Sequence, residues 1–178
     1  MILIIKTNKE HLHDNEFVKP IEKILRKDNL EFSTKYYLDV CDEDLTKANK
    51  VIISGTSLQD NDFLEHLNFF DWIKTYKKPL LGICAGMQII SLIFGARKKT
   101  EKEIGFYREN FTKDFLSLKG EHEVYHLHNN YCTLPKDFES YTDSKIPQAI
   151  KHKTKKIYGV LFHPEVRNEK LVINFVLS

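Results

Sequence analysis

The segment that most constrains the fold is Leu80–Gly95, which reads LLGICAGMQIISLIFG. A short apolar run passes through Cys84 between two glycines, then straight into GMQIISLIFG, which is too long for one strand and is closed by Gly95. A buried strand turning sharply into a helix packed inside the fold is the economical reading. Glycines at 82 and 86 suit a crowded bend, because only a residue without Cβ tolerates such close neighbours.

Other segments alternate in the same way. Met1–Lys6, Phe32–Leu38, Lys50–Ser54 and Leu80–Ile83 read as strands. Asn15–Lys27 and Phe63–Tyr76 carry apolar residues at helical spacing. Strands alternating with helices predict an α/β fold with a mostly parallel central sheet, flanked by helices. The second half is more strand-like, with Gly105–Glu109, Glu123–His128 and Lys156–Phe162 as candidates and Leu171–Leu177 as a terminal helix. A chain of 178 residues with no repeat or long linker suits one domain, residues 1–178.

Charge and composition exclude several functions. The 27 basic residues nearly balance the 25 acidic ones, which gives no case for nucleic-acid binding. Lys151, Lys153, Lys155 and Lys156 read as a solvated turn. No apolar run approaches the roughly 20 residues needed to cross a bilayer, so no membrane role and a cytoplasmic location are expected. Three widely spaced cysteines, Cys41, Cys84 and Cys132, form neither a disulfide framework nor a metal knuckle. His11 and His13 lack a third ligand and read as an exposed loop.

Cys84 is the nucleophile candidate. G-x-C-x-G at a strand-to-helix junction has the spacing of a nucleophile elbow, and the helix amino end favours thiolate over thiol. The bland alternative is a small buried filler. Cys41 precedes Asp42-Glu43-Asp44, whose charge disfavours thiolate, and Cys132 falls in a polar connection. Near the C-terminus an apolar strand ends at His163-Pro164-Glu165. Carboxyl ends of parallel strands meet at one sheet edge, so His163 could reach Cys84 as a base, oriented by Glu165.

Together these motifs resemble the class I glutamine amidotransferase family, including the small glutaminase subunits of archaeal GMP synthetases, over most of the chain and most weakly before residue 50. The family elbow G-x-C-x-G-x-Q is matched by Gly82, Cys84, Gly86 and Gln88. Its G-x-Q-F-H-P-E signature is matched by Gly159 through Glu165, with Leu161 in place of glutamine. The resemblance implies a flavodoxin-like fold and a catalytic triad of Cys84, His163 and Glu165. It implies an oxyanion hole from the Thr56 and Ala85 amides, where threonine stands in a loop that is usually glycine- and proline-rich. Gly55, Gln88, Leu127 and His128 fall at substrate-binding positions, with Leu127 replacing serine and Asn130 replacing aspartate. Glu103-Ile104-Gly105 matches a step read as structural. Thr7–His13 replaces a Gly-Gly-Gln-Tyr stretch.

The implied activity is hydrolysis of glutamine, with ammonia passed to a partner synthetase, GMP synthetase being one candidate in purine biosynthesis. No metal or organic cofactor is implied. Two other readings stay open: a cysteine hydrolase of another γ-glutamyl amide or peptide, and a regulatory subunit that keeps the fold.

Overall fold

A computed structural model describes residues 1–178. Its larger sheet has seven strands: β1 (Ile2–Lys6), β2 (Phe32–Tyr36), β3 (Lys50–Ile53), β4 (Leu80–Ile83), β7 (Phe138–Ser140), β8 (Ala149–His152) and β9 (Ile157–Val160). Their order is β2-β1-β3-β4-β9-β8-β7. The first five run parallel, and β8 and β7 add antiparallel strands at one edge. The expected α/β architecture is present.

The strands that read as apolar runs are buried on both faces. Along β1, Ile2 and Ile4 enter one core with Ile21, Leu25 and Phe175, while Leu3 and Ile5 enter the other with Tyr37, Phe63 and Phe70. Period-2 alternation therefore feeds two layers at once. The first layer holds α1 (Asp14–Phe17), α2 (Lys19–Lys27), α5 (Pro164–Arg167) and the terminal α6 (Glu169–Leu177). A second layer includes α4 (Ala85–Ile93), which packs against β4 and the Asp62–Lys74 segment. The acidic stretch after Cys41 forms the short α3 (Asp42–Lys47), which the sequence reading passed over together with β7 and β8.

Three expectations need correction. Asn15–Lys27 is not one helix: it breaks at Val18 between α1 and α2, where Pro20, which has no amide proton, occupies the first turn of α2. Phe63–Tyr76 is a run of 3₁₀ turns over Asp62–Lys74, interrupted at His66 with φ −121° and ψ 27°. There the His66 ring lies 3.1 Å from the Asp62 carbonyl, the acceptor an α-helical residue 66 amide would use. Gly105–Glu109 and Glu123–His128 are the middle of a much longer two-stranded ribbon, β5 (Lys98–Phe115) and β6 (Leu118–Cys132). Polar residues on its solvent face hide such a ribbon from a search for apolar runs.

Lys153, Lys155 and Lys156 lie in an exposed-to-half-buried turn, as expected, whereas Lys151 belongs to β8. His11–His13 form one short 3₁₀ turn with no buried residue. No helix is long and apolar enough to cross a membrane.

Candidate active site

The bend after β4 is an elbow in its dihedrals. Cys84 has φ 48° and ψ −102°, outside the regions an L-residue ordinarily visits. Such a conformation costs of order 1–3 kcal/mol and persists only where the surroundings enforce it. Here they do: the Cys84 amide donates to Val160 O at 2.8 Å, and the Cys84 carbonyl accepts from the Gln88 amide at 3.0 Å. Both flanking glycines are required. A Cβ on Gly86 would lie 2.3 Å from Ile53 O, and one on Gly82 would lie 2.5 Å from the Gly86 carbonyl.

His163 caps α5, ahead of Pro164 in its first turn, and its amide donates to Tyr125 O on β6 at 2.8 Å. Its Nδ1 lies 2.7 Å from Glu165 Oε1, and both side chains are buried. Its Nε2 makes no hydrogen bond. Burial alone would lower the His163 pKa, but the charges of Glu165 and Cys84 outweigh it and hold the ring well above the ordinary histidine value. Gly55 links the two halves: a Cβ there would stand 2.7 Å from His163 Cε1 and 3.3 Å from Cys84 Cβ. Cys84 and the His163 imidazole therefore flank one backbone position, although 79 residues separate them in sequence.

The loop after β3 is tied down by its own side chains. Thr7 Oγ1 donates to the Ser54 and Gly55 carbonyls at 3.2 and 3.1 Å, and Thr56 Oγ1 donates to Asp60 at 3.0 Å. Thr56 reaches its place without positive φ. Its amide enters no backbone hydrogen bond, and Ala85 opens α4, where amides lack an i−4 carbonyl. Thr56, Ala85, Gln88, Leu127 and His128 line one narrow cleft with Cys84. The cleft holds about 20 Å³, room for roughly one water. A broader depression of about 580 Å³ adjoins it, and Leu127 borders both.

Two expected substrate contacts are otherwise engaged. Gln88 Nε2 donates to Asn130 O at 3.0 Å. His128 Nε2 lies 2.9 Å from Glu103 Oε2, and burial pulls its pKa down to about 4. Cys84 Sγ lies 3.7 Å from the Leu127 carbonyl, so β6 touches the sulfur through its backbone. Sequence reasoning missed Phe17, whose ring packs 5.5 Å from that of His163, and the backbone of β6. Neither leaves a motif. His126, two residues before His128 on one strand face, did leave one.

The other cysteines differ sharply. Cys41 is exposed and caps α3, with Sγ 3.1 Å from Asp44. Cys132 is not in a polar connection: it ends β6, buried, and burial pushes its thiol up to about 12.

The model of the family described as glutamine amidotransferase class-I matches residues 11–175. The chain belongs to that family. Among curated members, it is 34% identical over 133 residues to a GMP synthase (glutamine-hydrolyzing) subunit of Picrophilus torridus, covering 70% of this chain and 71% of that one. It is 35% identical over 147 residues to the GMP synthase (glutamine-hydrolyzing) of Spiroplasma kunkelii, of which it spans only 28%. Among solved structures, a Thermoplasma acidophilum protein assigned as a GMP synthase subunit superposes with TM-score 0.82 at 26% identity, covering 99% of this amidotransferase and 92% of that chain. A Thermotoga maritima glutamine amidotransferase at 22% identity shares the fold, with TM-score 0.73 over 92% of this chain and 76% of that one.

Proposed function

We propose that this class-I amidotransferase acts as a single glutaminase domain, in the cytoplasm, hydrolysing the side-chain amide of glutamine through a thioester on Cys84. The observation that carries the reading is the buried His163–Glu165 pair, 2.7 Å apart, set across Gly55 from a cysteine on a strained elbow. With Nδ1 engaged by Glu165, the other ring nitrogen is the one available for proton transfer.

In the proposed cycle the Cys84 thiolate attacks the side-chain carbonyl carbon of glutamine. A C–S bond forms and the carbonyl electrons move to oxygen, where the Thr56 and Ala85 amides stabilise the charge. His163 Nε2 gives its proton to the amide nitrogen, the C–N bond breaks and ammonia leaves. A water then surrenders a proton to His163, its oxygen attacks the thioester, and the C–S bond breaks to release glutamate. No metal or organic cofactor takes part in this cycle.

Free ammonia is largely protonated in water and loses its nucleophilicity, so a partner synthetase is the proposed recipient. The similarity to the GMP synthase subunits of Picrophilus torridus and Thermoplasma acidophilum supports GMP synthetase for that role. A cleft with room for one water is too small for a glutamine side chain, and this supports opening of the Leu127 wall when the partner docks.

Glutamate release from glutamine, measured alone and with the ammonia-accepting component of a GMP synthetase, tests both parts. Activity is expected to rise with the partner, and Cys84→Ser to lower it by about 10³-fold or more. A glutamine-like electrophile should label Cys84 and spare Cys41 and Cys132. Undiminished turnover in Cys84→Ser sinks the mechanism.

A further inference from the structure

Behind the cleft, the inner face of the ribbon carries a polar cluster that the glutaminase cycle does not use. His126 and His128 project from one face of β6, two residues apart, and Glu103 on β5 pairs in register with His128 just after a bulge. His126 Nδ1, His128 Nε2 and Glu103 Oε2 form a triangle with edges of 3.3, 3.3 and 2.9 Å. All three atoms lie within 4.8 Å of one another. Tetrahedral bonds of about 2.0–2.1 Å to one zinc ion place neighbouring ligand atoms roughly 3.3 Å apart, the length of the two edges at His126, and the third edge is shorter by a few tenths of an ångström.

Three further observations point to a cation at the centre. The only ion pairs of Glu103 and Glu109 are with these histidines, and no lysine or arginine balances them. Buried carboxylates without such partners are costly unless a metal or another cation offsets them. Glu103 Oε2 is crowded, since Gln148 Nε2 also approaches it at 2.8 Å, while Gln148 Oε1 is buried with no partner. Turned over, that amide would present Oε1 to the side of the cluster as a fourth donor. His126 is backed by Glu109, whose Oε1 lies 3.3 Å from Nε2 and whose Oε2 accepts from Ser144. A carboxylate behind a ligating imidazole is the usual support of a metal-bound histidine.

We infer that Glu103, His126 and His128, with the Gln148 side-chain amide, bind one divalent transition-metal ion of the zinc class. The ion clamps β5 to β6 on either side of Leu127, whose carbonyl faces the Cys84 sulfur. Its role is structural, and it approaches from the side of Glu103, the least buried of the three ligands.

The test uses the whole chain, stripped with chelator and titrated with Co²⁺ and then Zn²⁺. One equivalent of Co²⁺ per chain should give the visible absorption of four-coordinate cobalt, and Zn²⁺ should displace it. X-ray absorption should show only nitrogen and oxygen neighbours, which separates this site from one built on Cys41. Glu103→Gln and His126→Asn should weaken binding at least tenfold, and Glu109→Gln, acting through His126, by about tenfold. Zn²⁺ should raise the melting temperature of the unmutated chain and not that of Glu103→Gln. Should the histidine variant fail to fold, the near-isosteric Glu103→Gln decides alone. Absence of stoichiometric binding, sulfur in the coordination shell, or undiminished affinity in Glu103→Gln overturns the inference.

Discussion

The two strands that meet at Cys84 are made differently. On the elbow side, β3, β4 and α4 are almost wholly buried, and two glycines there have no room for a methyl group. Facing them, β6 belongs to a ribbon whose outer residues are exposed or half-buried and whose inner face turns from apolar Leu118 and Val124 to the buried polar pair His126 and His128 beside Leu127. The Cys84 sulfur is thus held by close packing, and the cover beside it is held by hydrogen bonds and charge as well. Packing fixes where the sulfur stands. The cover governs what reaches it, and there Leu127 and Asn130 stand where the family resemblance places serine and aspartate.

If that division is right, substitutions in the elbow should damage stability and chemistry together. Gly86→Ala is the sharpest case, because its methyl group would press on a backbone carbonyl that cannot swing aside. The expected cost is about 3 kcal/mol, seen as a lower denaturation midpoint, with glutaminase activity reduced about 10²-fold by displacement of Cys84. A folded, fully active Gly86→Ala protein would break the comparison at its stronger end.

Glu165→Gln should separate chemistry from packing. The glutamine fills the same space but removes the charge that most raises the His163 pKa. Turnover is expected to fall by about 10²–10⁴-fold. Stability should change with pH in a defined sense. A histidine whose folded pKa is raised adds stability in full below its unfolded value near 6.5, and this is lost as pH rises through the folded value. The advantage of the unmutated chain over Glu165→Gln should therefore be greatest in mild acid and shrink in alkali. Denaturant titrations across that range measure it. An advantage that grows with pH contradicts the assigned charge state.

On the cover, Leu127→Ser should act on access alone. It puts a hydroxyl where the family resemblance places one and removes the wall shared by the cleft and the outer depression. KM for glutamine is expected to fall by about tenfold, on the scale of one apolar group in a pocket, with kcat within about twofold. An unchanged KM would mean that another group closes the cleft.

The same contrast explains what the sequence made legible. The elbow and the His163–Glu165 pair could be read because packing and proton transfer demand particular residues at fixed spacing. The parallel strands could be read because burial on both faces leaves unbroken apolar runs. The ribbon could be read only in fragments, since its outer face is free to be polar and its register shifts twice. The Asp62–Lys74 run breaks at His66, whose ring lies at the Asp62 carbonyl that a helical amide would use, and apolar spacing does not report such a contact. His128 was matched to a substrate position by its neighbours in sequence. It does line the cleft, and its ring also pairs with Glu103, a partner that no local pattern could have specified.

The smallest effect is expected at the far end of the ribbon. Leu116 and Ser117, with φ 51° and 73°, make the two-residue turn between β5 and β6, both in left-handed backbone without a glycine. Leu116 has a reason to stay, since it packs on the first core and its carbonyl accepts from Asn174 Nδ2 at 3.0 Å. Ser117 is exposed, and its one bond, from its amide to Asp114 Oδ1, survives loss of the side chain. Ser117→Gly should therefore relieve strain without removing a contact. Relief of left-handed serine costs some unfolded-state entropy, and the net gain is about 0.5–1 kcal/mol. Because this turn lies at the opposite end of β6 from Leu127, the gain should come with no change in kcat or KM. Stabilisation with altered kinetics would show that the ribbon moves as one rigid lever on Cys84, and the separation between packed elbow and adjustable cover would have to be given up.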